Sequence, residues 1–396
     1  MKVVVLTNLY PPFVRGGAEY LTHEVVVELK RQGHDVSVVT SVPWKSVKSF
    51  RPKIQEEGGV KVYRFFPLNL YHYLYASRVA YPLRFVWQLW NLVNTQAAHA
   101  VERVLKAERP DLVISSNLMG LSFLIPRVVK RLGVKHIHVL HDVQLLHPSG
   151  LFLWGRGKLS FPMRLYQQCT KRLFATVTLV VSPSAWLLKE HKARGFFVQS
   201  RTAVLPNPVP PPQNHPHNKT TGAPLKLLYD GQLEAHKGAF WLIETLKAMP
   251  RQDFELHLVA RGDKARLAQA QTLIDGDSRF KLHWLVTQAE IDEHYASAHL
   301  TIVPSLCYEN SPGSIAKSFL AGTPALAVRL GGVPELIREG ETGWLYTPGD
   351  AAEFLQKLDW CLDHPGDLLR AGLSASREFE DRTLERYVQA LLKLAA

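Results

Sequence analysis

Short runs rich in Val, Ile and Leu recur along the chain at 3–6, 36–40, 60–65, 112–115, 136–140 and 177–181, each followed by a longer amphipathic stretch. Near-continuous apolar runs of this length are what strands buried on both faces require, and the intervening stretches are long enough for crossover helices. The pattern stops at 205–224, where Pro206, Pro208, Pro210, Pro211, Pro212 and Pro216 can sustain neither a helix nor a central strand. It resumes at 225–229, 255–259, 281–285, 300–303 and 325–328. Two parallel α/β domains follow, in a chain of 396 residues that exceeds the ~250–300 at which one hydrophobic core stops growing. The predicted organisation is a Rossmann-like domain over 1–205, a Pro-rich linker over 206–224, a second Rossmann-like domain over 225–375 and a closing helical segment over 376–396. Leu384, Val388, Leu391 and Leu392 give that last segment one apolar face.

Open parallel sheets bind ligands at the carboxyl ends of their strands, so the loops that follow strands are where chemistry is expected. Tyr10 to Glu19 follows the first strand and places Gly16 and Gly17 before a helical segment at 20–32, where free N–H groups and the helix dipole favour a phosphate. The G-x-G-x-x-G pattern of dinucleotide sites is missing. His141 and Asp142 end the strand-like run at 136–140, where an imidazole can donate to a sugar hydroxyl and the carboxylate can orient it or cap a turn. The plainer reading has His141 tying down a loop and His136 or His138 facing solvent. In the second half, Gly231, Gln232 and Lys237 lie in a strand-to-helix junction suited to a diphosphate. Residues 304–317 combine Glu309, an acceptor for sugar hydroxyls, with Asn310, Ser311, Gly313 and Ser314 at a helix start. A capped helix beside a surface carboxylate would look the same.

These segments, in this order, resemble the retaining glycosyltransferases of family 4, also called group 1, from the Gly-Gly-Ala-Glu loop at 16–19 through His141 and Lys237 to the stretch 304–348. The resemblance implies the GT-B architecture: two Rossmann-like domains facing each other across a cleft, with the C-terminal helix returning to the first. It implies a nucleoside diphosphate sugar donor, no metal ion and no cofactor. Gly16, Gly17 and Lys237 would meet the diphosphate, and His141 and Glu309 the sugar. Two positions depart from the pattern. Gln232 stands where an arginine is usual, and Lys317 where the second glutamate of a Glu-x7-Glu pair would accept from the ribose diol. A lysine only donates, and a lost charged hydrogen bond costs about 1.5–3 kcal/mol, roughly tenfold to a hundredfold in affinity. The departures leave a second reading open, a non-catalytic GT-B protein serving as partner or scaffold of another transferase.

The formal charge of +12 attracts anions, but no helix-turn-helix, zinc-finger or RNA-binding signature accompanies it, so nucleic acid is not an expected partner. Three scattered cysteines make neither a disulfide framework nor a zinc site and fit a reducing, cytoplasmic setting. No apolar run reaches the ~18 residues of a membrane span. Residues 61–106 interleave bases with aromatics, Arg78, Tyr81 and Phe85 among them, and predict peripheral binding to anionic membranes and a saccharide or polyprenyl-linked acceptor. Within that segment Leu83, Val86, Trp87, Trp90 and Val93 fall on one helical face, expected to pack into the core. The aromatics that precede it, Phe65, Phe66, Tyr71, Tyr73 and Tyr75, are the expected membrane or acceptor contacts.

Overall fold

The computed structural model describes residues 1–155, 160–209, 219 and 221–396. They form fourteen strands: β1 Lys2–Leu6, β2 Asp35–Ser41, β3 Lys53–Glu57, β4 Val60–Phe65, β5 Leu112–Ser115, β6 Lys135–Val139, β7 Leu179–Ser182, β8 Arg201–Val204, β9 Leu225–Gln232, β10 Phe254–Arg261, β11 Phe280–His283, β12 Leu300–Val303, β13 Ala325–Val328 and β14 Gly343–Tyr346. Chain contacts divide the molecule into two compact units, one of 1–151, 157–206 and 384–396, the other of 152–156 and 207–383. Most of the predicted linker, including Pro210, Pro211, Pro212 and Pro216, lies outside the described residues.

The first unit's sheet runs β3-β4-β2-β1-β5-β6-β7-β8, parallel except for the antiparallel edge strand β3. Val3, Val5, Val36, Val38, Ile114 and Val181 form its core. The predicted run at 177–181 resolves into a turn and β7, and the Ser182–Ser184 break leads into the helix Ala185–Ala193, whose first turn Ser184 caps through Leu187 N–H. The second unit's sheet, β11-β10-β9-β12-β13-β14, is parallel throughout.

The closing segment differs from the sequence expectation at its start. A helix runs Pro365–Phe379, through residue 376, and its Leu368, Ala371, Ala375 and Phe379 pack into the second unit. The helix that joins the first unit is Leu384–Ala395, with Tyr387, Val388 and Leu391 buried beside Val25, Val26 and Leu29 of the helix Gly17–Arg31. Amphipathic spacing identifies the last helix but says neither where the preceding one ends nor which core an apolar face meets.

The largest departure concerns the helix Tyr81–Leu92. Of the five residues expected in the core, only Trp87 is buried; Leu83, Val86 and Trp90 are about half exposed, as is Val93 just beyond the helix. The polar face turns inward instead. Asn91, fully buried, accepts from Gly120 N–H at 2.8 Å, Gln88 donates to the Pro148 carbonyl at 2.8 Å, and Arg84 Nε donates to the Val79 carbonyl at 2.6 Å. The buried Gly120 N–H takes Asn91 as its acceptor, and the partly exposed carbonyls of Pro148 and Val79 take Gln88 and Arg84, which holds the polar side of the helix toward the chain. The preceding aromatics are likewise not free: Phe65 and Phe66 are buried, and Tyr71 and Tyr73 stack on Trp87, leaving Tyr75 the most exposed of the five. The side chains of Arg78, Tyr81 and Phe85 lie outside the described residues.

Candidate active site

In the first unit the loop after β1 is pinned from below. Arg64 donates to the Pro11 carbonyl at 2.5 Å while its guanidinium pairs with Glu57. Gly16 then caps the helix Gly17–Arg31 without a side chain, and its N–H donates to Glu19 Oε2 at 2.8 Å. A Cβ placed on Gly17 would meet nothing within 4 Å, so the space over this helix start is open. Packing does not call for glycine there, whereas an approaching ligand would.

His141 follows β6, with Nε2 at 2.6 Å from Ser116 Oγ, itself 3.2 Å from Thr22 Oγ1, which donates to the Ala18 carbonyl at 2.8 Å. A chain of hydroxyls therefore ties His141 to the first turn of the helix that Gly16 caps. Burial pushes the imidazole down to about 4, so it is neutral at physiological pH. Asp142 accepts from Gln144 N–H at 2.7 Å, fulfilling the turn-capping role, and burial pushes its carboxyl up to about 6. His136 and His138 do not face solvent: both are buried, and both rings bond Ser115 Oγ, at 2.7 and 2.8 Å. Two apart on β6, they share one sheet face, and that face is buried, so both rings reach the same hydroxyl.

In the second unit, β9 and β12 are neighbours, which brings the loops at 231–238 and 304–313 together. Leu306 N–H donates to the His236 carbonyl at 2.8 Å, and Gly238, at φ 76°, lies so close to Pro304 that a Cβ would fall 1.9 Å from its carbonyl oxygen. Gly238 is thus required by contact as well as conformation. The junction carries Lys237 Nζ to 2.6 Å from Glu309 Oε1, which also accepts from Ser305 Oγ at 2.8 Å. Burial pushes the Glu309 carboxyl up, but the Lys237 charge and the two hydrogen bonds outweigh it and hold the group below the usual carboxylate range. Both bonds fall on Oε1, and among the described residues none falls on Oε2, which can accept from a ligand.

Gly231 and Gln232 end β9, where the Gln232 carbonyl accepts from Tyr229 at 2.8 Å and a Cβ on Gly231 would meet that hydroxyl at 2.6 Å. Asn310 and Ser311 lead into the helix Gly313–Leu320, which begins with Gly313 and Ser314 and has no side-chain cap. Lys317 lies in this helix, partly buried, and among the described residues no carboxylate pairs with it. Three participants escaped the sequence reading. Ser116 carried no motif, although it directly follows β5, and Ser305 lay within the 304–317 stretch, two residues after β12, without being given a role. Arg261 is in register with Gln232 on the neighbouring strand and pairs with Asp230 at 2.7 Å, a relation that only strand pairing reveals.

Residues 16–208 match the family model described as glycosyl transferase 4-like domain, and residues 224–364 the model described as glycosyl transferases group 1. The chain belongs to the group 1 glycosyltransferases. Among the relatives of this glycosyltransferase is an uncharacterized 42.6 kDa protein in the cps region of Klebsiella pneumoniae, 24% identical, the match covering 85% of this chain and 88% of that one. Another is the putative teichuronic acid biosynthesis glycosyltransferase TuaC of Bacillus subtilis, 22% identical over 85% of this chain and 83% of its own. The solved structure of Anabaena HepE in complex with UDP has the same fold, with a TM-score of 0.69 at 18% identity over 100% of this chain and 99% of that one. The architecture is GT-B.

Proposed function

We propose that this glycosyltransferase moves a sugar from a nucleoside diphosphate donor to a saccharide or polyprenyl-linked acceptor, with retention and without a metal ion, in the synthesis of a surface polysaccharide or glycolipid. The observation that carries the reading is the Lys237–Glu309 pair with Ser305 on the same oxygen. A carboxylate held ionised accepts from sugar hydroxyls, and the ammonium beside it meets a diphosphate. The UDP held by HepE and the teichuronic acid role in the name of TuaC support the donor and product classes.

In this reading the bond from the anomeric carbon to the phosphate oxygen breaks as the acceptor oxygen attacks on the same face, and the acceptor proton passes to the departing phosphate. The protein's part is to stabilise charge growing on that phosphate. Lys237 supplies it directly; Arg261, in register with Gln232, is the second cation offered by this edge of the sheet. Gly17 offers its N–H to the diphosphate, Gly16, whose own N–H is held by Glu19, leaves room for it to approach, and neutral His141 donates to the sugar. Two coupled loops built around Lys237 and Glu309 favour an enzyme over a scaffold, because a scaffold needs neither.

The setting proposed is the cytoplasmic face of an anionic membrane. Among the described residues no helix is long and apolar enough to cross a membrane. The apolar stripe of the helix Tyr81–Leu92 nevertheless faces outward on a chain of charge +12. Such a face suits insertion at a lipid interface, with the basic surface drawn to acidic headgroups.

Calorimetric titration with UDP, GDP, ADP and their sugars tests the donor. One nucleotide is expected to bind below millimolar concentration, and Lys237→Ala to weaken it at least tenfold, the scale of a charge-assisted bond. Binding of none at millimolar concentration would defeat the reading. NMR of the product's anomeric proton against the donor's tests retention, and full turnover in EDTA tests metal independence.

A further inference from the structure

The second unit holds three histidines drawn together from three elements that the transfer reaction does not use. His257 lies within β10 and His283 ends β11; the pairing of Val259 with His283 puts both rings on one sheet face, since side chains two apart on a strand point the same way. The helix Gln288–Ser297 covers that face, its Ile291 and Tyr295 packing on Leu228 and Val259, and it contributes His294. One nitrogen from each ring lies within 4.8 Å of the other two. His257 Nδ1 is 3.1 Å from His283 Nε2 in rings stacked 5° from parallel, and the His294 ring is centred 4.3 Å from that of His283.

A hydrogen bond between two imidazoles accounts for His257 and His283 but not for a third ring aimed at the same point. Glu255 adds to this, its Oε2 lying 3.4 Å from His257 Nε2, the nitrogen turned away from the cluster. That is an ion-pair distance, and His257 Nε2 makes no hydrogen bond among the described residues as it stands, but a small approach of the carboxylate would fix the tautomer that leaves the inward nitrogen with its lone pair, the usual outer support of a metal-bound imidazole. Two nitrogens bound at ~2.0–2.1 Å to one tetrahedral ion sit about 3.4 Å apart, so the His257–His283 pair needs only a small opening to take one.

We propose that His257, His283 and His294 bind one divalent transition-metal ion of the zinc class, with water in the fourth position and Glu255 supporting His257. The ion would brace edge strand β11 and the helix Gln288–Ser297 against β10. It is separate from the donor chemistry, and its presence does not depend on the transfer reaction.

The test uses the full chain without a histidine tag, stripped with EDTA and dialysed. Titration with zinc chloride is expected to show one equivalent bound at micromolar affinity or better, with a rise in melting temperature, and cobalt chloride to give the intense visible bands of a tetrahedral site. His283→Gln and His294→Gln should each weaken zinc binding about a hundredfold, and Glu255→Gln about tenfold, with unchanged circular dichroism. Nucleotide titration of the same samples separates this result from the donor reading. Zinc binding below a tenth of an equivalent, or binding that the histidine variants leave unaltered, would overturn the proposal; should a glutamine variant fail to fold, the cobalt spectrum of the native chain decides.

Discussion

A single charge reversal carries the sharpest question about the donor site. Lys317 has only donors to offer where the family pattern has a carboxylate that accepts from a ribose diol, and no carboxylate among the described residues pairs with it. Restoring the acceptor should therefore help: Lys317→Glu is expected to raise nucleotide affinity roughly tenfold to a hundredfold, measured by calorimetry. A fall instead would show Lys317 holding phosphate in place of the charge missing at Gln232. Glu309 presents the opposite case. Its type and place after a strand were legible, but its ionised state was not, because that depends on Lys237, seventy-two positions away in the chain, arriving within 2.6 Å.

Among the secondary-structure elements, the helix Tyr81–Leu92 shows how periodicity can find a helix and misassign its faces. An apolar stripe states which residues share a side, and burial is only its commonest use. Here Arg84, Gln88 and Asn91 are claimed by the carbonyls of Val79 and Pro148 and by Gly120 N–H, so the stripe is left outside. If that face meets lipid, Trp90→Glu with Val93→Glu should abolish flotation with phosphatidylglycerol-containing liposomes at low salt and leave nucleotide affinity unchanged. Flotation of the double variant equal to that of the native chain would remove the helix from the membrane surface. The histidine triad makes the same point from the other side: positions 257, 283 and 294 match no metal-binding spacing, because strand pairing and helix packing, not local sequence, bring them together.

At the scale of the whole molecule, the first unit's many buried histidines link stability to pH. Burial pushes His72, His141 and His191 down to about 4, His136 to about 3, and His138 well below its ordinary value. Unfolded, all five would take up protons near 6.5, so below that pH the unfolded chain binds more protons and stability falls. The stability they confer is present above about pH 6.5 and lost as the pH drops through about 4. Asp142 runs the other way, its contribution present below about 4 and lost as the pH rises through about 6, and burial also pushes Glu19 up, but these are two groups against five. Melting temperature should decline steeply from pH 6.5 to 4; a flat profile by scanning fluorimetry would show the histidines to be protonated in the fold.

The sequence by itself determined two α/β domains and eleven of their fourteen strands, all but β3, β8 and β14, the loops that bear Gly16, His141, Lys237 and Glu309, and the family, because strand and helix periods and the order of motifs are local properties of the chain. The tertiary structure alone decided which of those residues touch, where each amphipathic face goes, and which core each terminal helix joins. Contacts such as Lys237 with Glu309 or Arg261 beside Gln232 depend on strand order and register. These are settled by which pairing buries the most apolar surface while leaving the fewest polar groups unpartnered, a condition on the whole fold that no short stretch of sequence contains.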